Sequence, residues 1–272
     1  MKVSFSTLGC PDWPLEQIAK NAKAMGYDGV ELRTHNDGNH FSPDATLTTA
    51  RDTAKLFRDH GVPVFSVMGY ARFAYTDPAE VVKNQELSRK LIKIAEAMGA
   101  RYIRAFCGKV PEGSSVEAMT KVISDAVKPL AREAAEKNLA IAFEIHDDWC
   151  AGQRMMNIVR NVDSPGLGIV YDIFNGIHSK AEPWDVTYGA IKDHISYCHV
   201  KDAYTTPEGK EQYVPLGAGV VPFPAVFKRL KADGFDSYLS FEWEKKWMPE
   251  LDPPEKAFPQ YPPKVRAMWK DA

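Results

Sequence analysis

Eight times along this chain a short, apolar, β-favouring run gives way to a longer stretch with a helical repeat of apolar residues. The runs are Val3–Leu8, Gly29–Leu32, Val62–Met68, Tyr102–Phe106, Leu139–Phe143, Leu167–Tyr171, Ile195–His199 and Tyr238–Phe241. Between them the periodicity predicts helices over Leu15–Met25, Thr46–His60, a long segment opened by Asp77-Pro78, Val116–Lys137, Met155–Val162, Trp184–Ile191 and Pro224–Ala232. Leu87, Leu91, Ile94 and Met98 show the apolar face of one such helix. Asp77 before Pro78 supplies N-cap and first-turn chemistry, and Gly26, Gly61, Gly99 and Gly234 stand where helices stop. Strict alternation of this kind implies a parallel sheet, and eight units close it into a barrel without edges. A doubly wound open sheet would call for a glycine fingerprint after the first strand, and Thr7-Leu8-Gly9-Cys10-Pro11 is not one. The chain is therefore read as α/β, a single (β/α)8 barrel domain over residues 1–272. A Pro-rich segment, about 249–272, is expected to wrap the outside and end in a short helix near Val265–Trp269. The stretch 202–221 reads as a long loop placed to cover a pocket.

Composition narrows the partners. Lys plus Arg total 34 against 36 Asp plus Glu, which leaves no electrostatic footprint for nucleic acid or an anionic membrane. No apolar run approaches the roughly 20 residues of a membrane span. The first residues carry one positive charge and too short an apolar run for a signal peptide, so a cytoplasmic protein is expected. Cys10, Cys107, Cys150 and Cys198 are far apart, with no C-x-x-C pair, and read as buried thiols rather than a zinc knuckle or disulfide framework.

The last four runs each stop on a hard ligand: Glu144, Asp172, His199 and Glu242. In a barrel of this type active sites lie at the C-terminal rim, so an ionisable residue closing a strand reads as catalytic. Any one of these acids alone would be an ordinary solvated strand end. Four on consecutive strands point instead to a shared site for one divalent metal. Three carboxylates and an imidazole suit Mn²⁺, placed first, or Mg²⁺, Co²⁺ or Zn²⁺, and disfavour copper(I).

The layout resembles the xylose isomerase-like TIM barrels, the superfamily of sugar isomerases and epimerases that includes D-tagatose 3-epimerase and inosose dehydratase. The resemblance covers essentially the whole chain and includes Gly26-Tyr27-Asp28-Gly29-Val30-Glu31-Leu32 and His199-Val200-Lys201-Asp202. In that family the Glu, Asp, His and Glu closing the last four barrel strands bind one divalent metal. By position these are Glu144, Asp172, His199 and Glu242. The resemblance implies a metal-dependent isomerase or epimerase of a sugar or sugar derivative. A metal on the substrate carbonyl acidifies the neighbouring C–H, and carboxylates move the proton through an enediolate. Epimerisation needs two acid/base groups on opposite faces, and Glu144 and Glu242 are assigned that pair.

One departure matters. The family's sugar epimerases carry a substrate-contacting His three residues after the metal-binding Asp, where this chain has Asn175, with His178 three further on. His146 follows Glu144 by two, so on an extended strand both point the same way. His146 reads either as an extra acid/base or as a structural hydrogen-bonding residue. The exchange keeps open a second reaction, a lyase or dehydratase acting on a keto-sugar or inosose with His146 as its acid. An enzyme like endonuclease IV, with a three-zinc cluster, is disfavoured by where the seven His fall and by the neutral charge.

Further substrate-binding candidates at the rim are Asn175, Lys201, for a substrate hydroxyl, carboxylate or phosphate or else a surface salt bridge, and Arg104, too costly to leave unpaired in a barrel strand. Arg33 is expected to pair with Glu31. Trp247 is a candidate for stacking on a sugar ring, within the charged run Glu244-Lys245-Lys246 or simply a solvated neighbour of it. Trp13 and Phe73 read as a sugar platform, or else as packing anchors or oligomer contacts. The expected partner is a small sugar-derived substrate, and the assembly states considered are a homodimer and a homotetramer.

Overall fold

A computed structural model describes all residues, Met1–Ala272. The barrel strands are β1 (Lys2–Ser6), β2 (Gly29–Arg33), β3 (Val64–Met68), β4 (Tyr102–Phe106), β5 (Ala140–Glu144), β6 (Leu167–Asp172), β7 (Ile195–Val200) and β10 (Tyr238–Phe241), all parallel and closed by β10 pairing with β1. Around them lie α1 (Leu15–Ala24), α2 (Leu47–Asp59), α3 (Pro78–Met98), α4 (Val116–Glu136), α5 (Gly152–Val162), α6 (Ile173–His178), α7 (Trp184–Ile191) and α8 (Phe223–Ala232). The predicted (β/α)8 barrel is thus the observed one.

Local chemistry sets the boundaries. Asp77 caps α3 by accepting from the Ala79 N–H, and Gly99 ends the helix in the left-handed region at φ 71°. Thr46 and Ser115 cap α2 and α4 in the same way. The main core of 69 residues fills the annulus between strands and helices. A second cluster of Phe65, Ala142, Val170 and Tyr197 plugs the lumen. The residue two further along β5, β6 and β7 from each of the last three is Glu144, Asp172 and His199. Period-two alternation therefore places these three in the layer above that plug, and Ser240 and Glu242 follow the same step at β10. Register shifts between Val30 and Glu31, and between Ile169 and Val170, skip Phe65 and Ser196 on the neighbouring strands.

Four expectations change in detail. The first strand stops at Ser6, because Thr7–Gly9 winds into a 3₁₀ turn capped by the Ser6 hydroxyl. The stretch 202–221 is not featureless: it holds an antiparallel hairpin of β8 (Asp202–Thr205) and β9 (Glu211–Val214). The buried Asp202 carboxylate anchors its return by accepting from the Gly217, Gly219 and Val221 N–H groups. Helix α6, absent from the sequence reading, is too short to show a repeat and is nucleated by Asp172, whose carboxylate caps Asn175 N–H. The C-terminal helix is longer than expected: α10 spans Tyr261–Asp271, and with α9 (Pro254–Ala257) and the 3₁₀ turn Phe258–Gln260 before it lays Phe258 and Tyr261 over Phe5 and Phe241, at ring separations of 4.5 and 4.6 Å.

Candidate metal centre and active site

Glu144, Asp172, His199 and Glu242 meet in the lumen, fully buried, with one donor atom of each within 4.8 Å of every other. His199 Nδ1 lies 3.6 Å from Glu144 Oε2, 3.9 Å from Asp172 Oδ2 and 3.3 Å from Glu242 Oε1. An ion with bonds of about 2.1 Å holds adjacent ligands roughly 3 Å apart and opposite ones roughly 4.2 Å apart, so the quartet has the right span. His199 Nδ1 and Asp172 Oδ2 make no hydrogen bond despite complete burial, which is costly unless something else satisfies them. The residues present thus fit a divalent metal.

The surrounding charges fit it too. Arg104 Nη1 bridges Glu144 Oε2 at 2.9 Å and Glu242 Oε1 at 3.3 Å. Lys201 Nζ reaches Glu242 Oε2 at 2.6 Å and Glu244 Oε1 at 3.0 Å, and lies 2.9 Å from Asp172 Oδ2 without hydrogen-bond alignment. Two fixed cations therefore face the carboxylates of Glu144, Asp172, Glu242 and Glu244, with Glu31 behind them, and negative charge remains for a cation to neutralise. Burial pushes the Asp172 carboxyl up to about 6 against the pull of Lys201, and pushes Glu244 up to about 7. Burial works the same way on Glu242 but is outweighed by His199, Lys201 and Arg104, which hold it well below the usual range. Glu144 is also lowered, with burial and Glu242 opposing Arg104 and His199.

Above this floor opens a cavity of about 370 Å³, into which Glu144, Glu242, Glu244, Lys201, Arg104 and His146 face. Its walls carry Tyr70, Phe106 and Trp247, with Arg72 and His35 at its side. His146 therefore shares the cavity with Glu144, as the spacing of two suggested; its Nδ1 lies 3.0 Å from Asp147, and its ring meets the Phe106 ring at 5.2 Å. Burial opposes protonation of His146, but the Asp147 carboxylate outweighs it and raises the pKa. Asn175 does not line the cavity. Its Nδ2 donates to Glu144 Oε1 at 3.4 Å and to the Ile145 carbonyl at 3.3 Å, so it braces the carboxylate. His178 is turned away, stacked on Phe174 and paired with Glu211 at 2.9 Å.

Several sequence expectations are corrected here. Lys201 makes no surface bridge; it is 3% exposed and belongs to the buried network. Arg33 does not pair with Glu31. Its guanidinium grips Asp37 through both terminal nitrogens and lies between the Tyr70 and Trp247 rings, because Glu31 is taken by His199, 2.8 Å away across the lumen. Trp13 and Phe73 are packing anchors, buried against Phe258 and Phe143. The cavity aromatics are Tyr70, Phe106 and Trp247 instead, and of these only Trp247 stood out in the sequence. Tyr70 and Phe106 lie at the ends of β3 and β4, where an aromatic is indistinguishable from core until the barrel closes. The four cysteines are free and buried, as expected.

The profile of the Xylose isomerase-like TIM barrel family matches residues 19–261. The chain belongs to this family. The chain is 25% identical over 236 residues to the L-ribulose-5-phosphate 3-epimerase UlaE of Shigella flexneri serotype 5b (strain 8401), covering 82% of this chain and 80% of that one. Among solved barrels, the 3-keto-D-glucoside 4-epimerase YcjR from E. coli superposes with a TM-score of 0.79 at 16% identity, over 98% of this chain and 99% of that one. The IOLI protein with a bound zinc atom superposes with a TM-score of 0.83 at 20% identity, over 99% and 98%. No helix of this xylose isomerase-like barrel is long and apolar enough to cross a membrane.

Proposed function

We propose that this chain is a divalent-metal-dependent sugar isomerase or epimerase that moves a proton at the carbon beside a carbonyl. The observation that carries the reading is the buried Glu144–Asp172–His199–Glu242 quartet at the floor of an open, partly aromatic cavity. Membership of the family and the likeness to an epimerase of a ribulose phosphate support it. Mn²⁺ is the first candidate for the quartet, ahead of Mg²⁺, Co²⁺ and Zn²⁺. When bound, the ion supplies Lewis-acid stabilisation of the negative charge that develops on the substrate's carbonyl oxygen.

The chain's own groups divide the remaining work. Glu144 and Glu242 are the acid/base pair, and their partners make them unequal. The Lys201 ammonium clamps Glu242 Oε2 at 2.6 Å, whereas only the neutral Asn175 amide, at 3.4 Å, touches Glu144 Oε1. Glu144 is therefore the better proton acceptor, and Glu242 serves the opposite face. Arg104, donating to both, keeps them apart and ionised. Tyr70, Phe106 and Trp247 offer flat apolar faces to the C–H side of a sugar and exclude water from it.

A second reading, elimination from a keto-sugar, is favoured by one observation: His146 faces the same cavity beside Glu144, where it can protonate a leaving group. One experiment separates the two. Metal-stripped protein, reloaded with Mn²⁺, is incubated with ketopentoses, ketohexoses, their phosphates and 3-keto-sugars in D₂O. Epimerisation gives a stereoisomer with deuterium at the carbon beside the carbonyl, is lost on chelation and survives His146→Ala with at most about a tenfold drop. A dehydrated product, abolished by His146→Ala at unchanged metal content, would establish elimination instead. A fully active metal-stripped enzyme would refute the metal-dependent reading of either reaction.

A further inference from the structure

Glu31 is completely buried on β2, on the far side of the lumen from β6, and none of the reactive steps above uses it. Four donors surround its two oxygens. Tyr197 Oη lies 2.6 Å and Ser66 Oγ 3.5 Å from Oε1, while His199 Nε2 lies 2.8 Å and Ser240 Oγ 3.1 Å from Oε2. A carboxylate only accepts hydrogen bonds, and its roughly four lone-pair sites match this shell. His199 Nε2 must therefore carry the hydrogen it shares with Glu31. Its other nitrogen, Nδ1, is then the one turned to Glu144, Asp172 and Glu242.

We propose that Glu31 is the positioning residue of the centre: it locks the His199 ring across the barrel and presents Nδ1, not Nε2, as the ligand. The proposal rests on the metal reading above. A carboxylate behind a ligating imidazole fixes its rotation and raises its basicity, and losing such a partner typically weakens metal affinity 10–100-fold. A glutamine in this place would carry no charge and would offer fewer lone pairs to Nε2 and the three hydroxyls. Its oxygen can stay on Nε2–H while its N–H groups turn to the Tyr197 and Ser66 hydroxyls, so the ring keeps its place but loses the charged partner that raises its basicity.

Zn²⁺ binding to metal-stripped wild type, Glu31→Gln and Glu31→Asp is measured by calorimetry, with circular dichroism to confirm folding. The expected result is a 10–100-fold weaker Kd for Glu31→Gln, partly restored by the shorter carboxylate of Glu31→Asp. Ring-¹⁵N NMR of Zn²⁺-loaded wild type, which needs no variant to fold, is expected to show His199 with Nε2 protonated and Nδ1 bound to metal. Zinc on Nε2, or a folded Glu31→Gln that binds Zn²⁺ as tightly as wild type, would overturn the proposal. Wild type that fails to bind Zn²⁺ or Mn²⁺ would overturn the metal reading, and this proposal with it.

Discussion

Arg104 offers the sharpest test of how this centre is held together, because its loss leaves two buried anions facing each other. Its guanidinium is 2% exposed and donates through one nitrogen to both Glu144 and Glu242, themselves 2% exposed. At an effective dielectric of about 20, each pair is worth about 4 kcal/mol at 4 Å, so the two together attract by about 8 kcal/mol before the cost of desolvating the guanidinium. Removing one partner from a buried pair costs about 3–5 kcal/mol, since the charge left behind cannot reach water. In Arg104→Met, which keeps much of the side-chain volume, the metal-free protein should lose that much stability. At about 2–4 °C per kcal/mol for a chain of this size, Tm falls by roughly 6–20 °C. The variant should also regain more Tm than wild type on adding Mn²⁺, because a cation in the quartet replaces the missing charge. Differential scanning calorimetry of both proteins, with chelator and with Mn²⁺, gives the comparison. A metal-free Arg104→Met melting within about 2 °C of wild type would refute the view that Arg104 offsets the Glu144–Glu242 repulsion.

Two further tests concern parts of the fold that carry the site. His40 is held over the Cys10 carbonyl at 3.1 Å with its Nδ1 buried and unpartnered, and burial pushes its pKa down to about 4. The folded pKa lies below the unfolded one, near 6.5, so the unfolded chain takes up the proton first. Stability from this group is whole above about pH 6.5 and is lost as pH falls towards about 4, by at most about 3 kcal/mol. Urea titrations between pH 7 and pH 4 should show His40→Asn losing less stability than wild type over that window, and parallel curves would rule the effect out. Gly166 precedes β6, and a methyl there would collide with the Ala131 carbonyl oxygen of α4. Gly166→Ala should lose about 1–3 kcal/mol or more by overpacking, read as a lower urea midpoint at unchanged slope, and an unchanged midpoint would contradict the close packing of this turn against α4.

Much of the site was legible in the sequence because barrel geometry converts chain order into position. Each quartet residue lies at a strand's last position or within one residue of it, and period-two alternation puts all of them on the lumen side, so counting strands was enough to bring Glu144, Asp172, His199 and Glu242 to one rim. The helices were legible through caps and stops such as Asp77 and Gly99, which act within a few residues. Helix α6 escaped because six residues carry no measurable repeat.

What the sequence by itself determined is the strand order and, from it, that Glu144, Asp172, His199 and Glu242 come to one rim. What only the tertiary structure decided is who pairs with whom inside the lumen. Glu31 stands two residues from Arg33, yet it bonds to His199, 168 positions away, and Arg33 turns to Asp37. Arg104 settles between Glu144 and Glu242, and Lys201 is buried among Asp172, Glu242 and Glu244 rather than exposed. The physical reason is closure. Strands that share a lumen bring residues from opposite walls within hydrogen-bond reach, and in that dry interior each charge must find its partner across the barrel, where sequence separation carries no information.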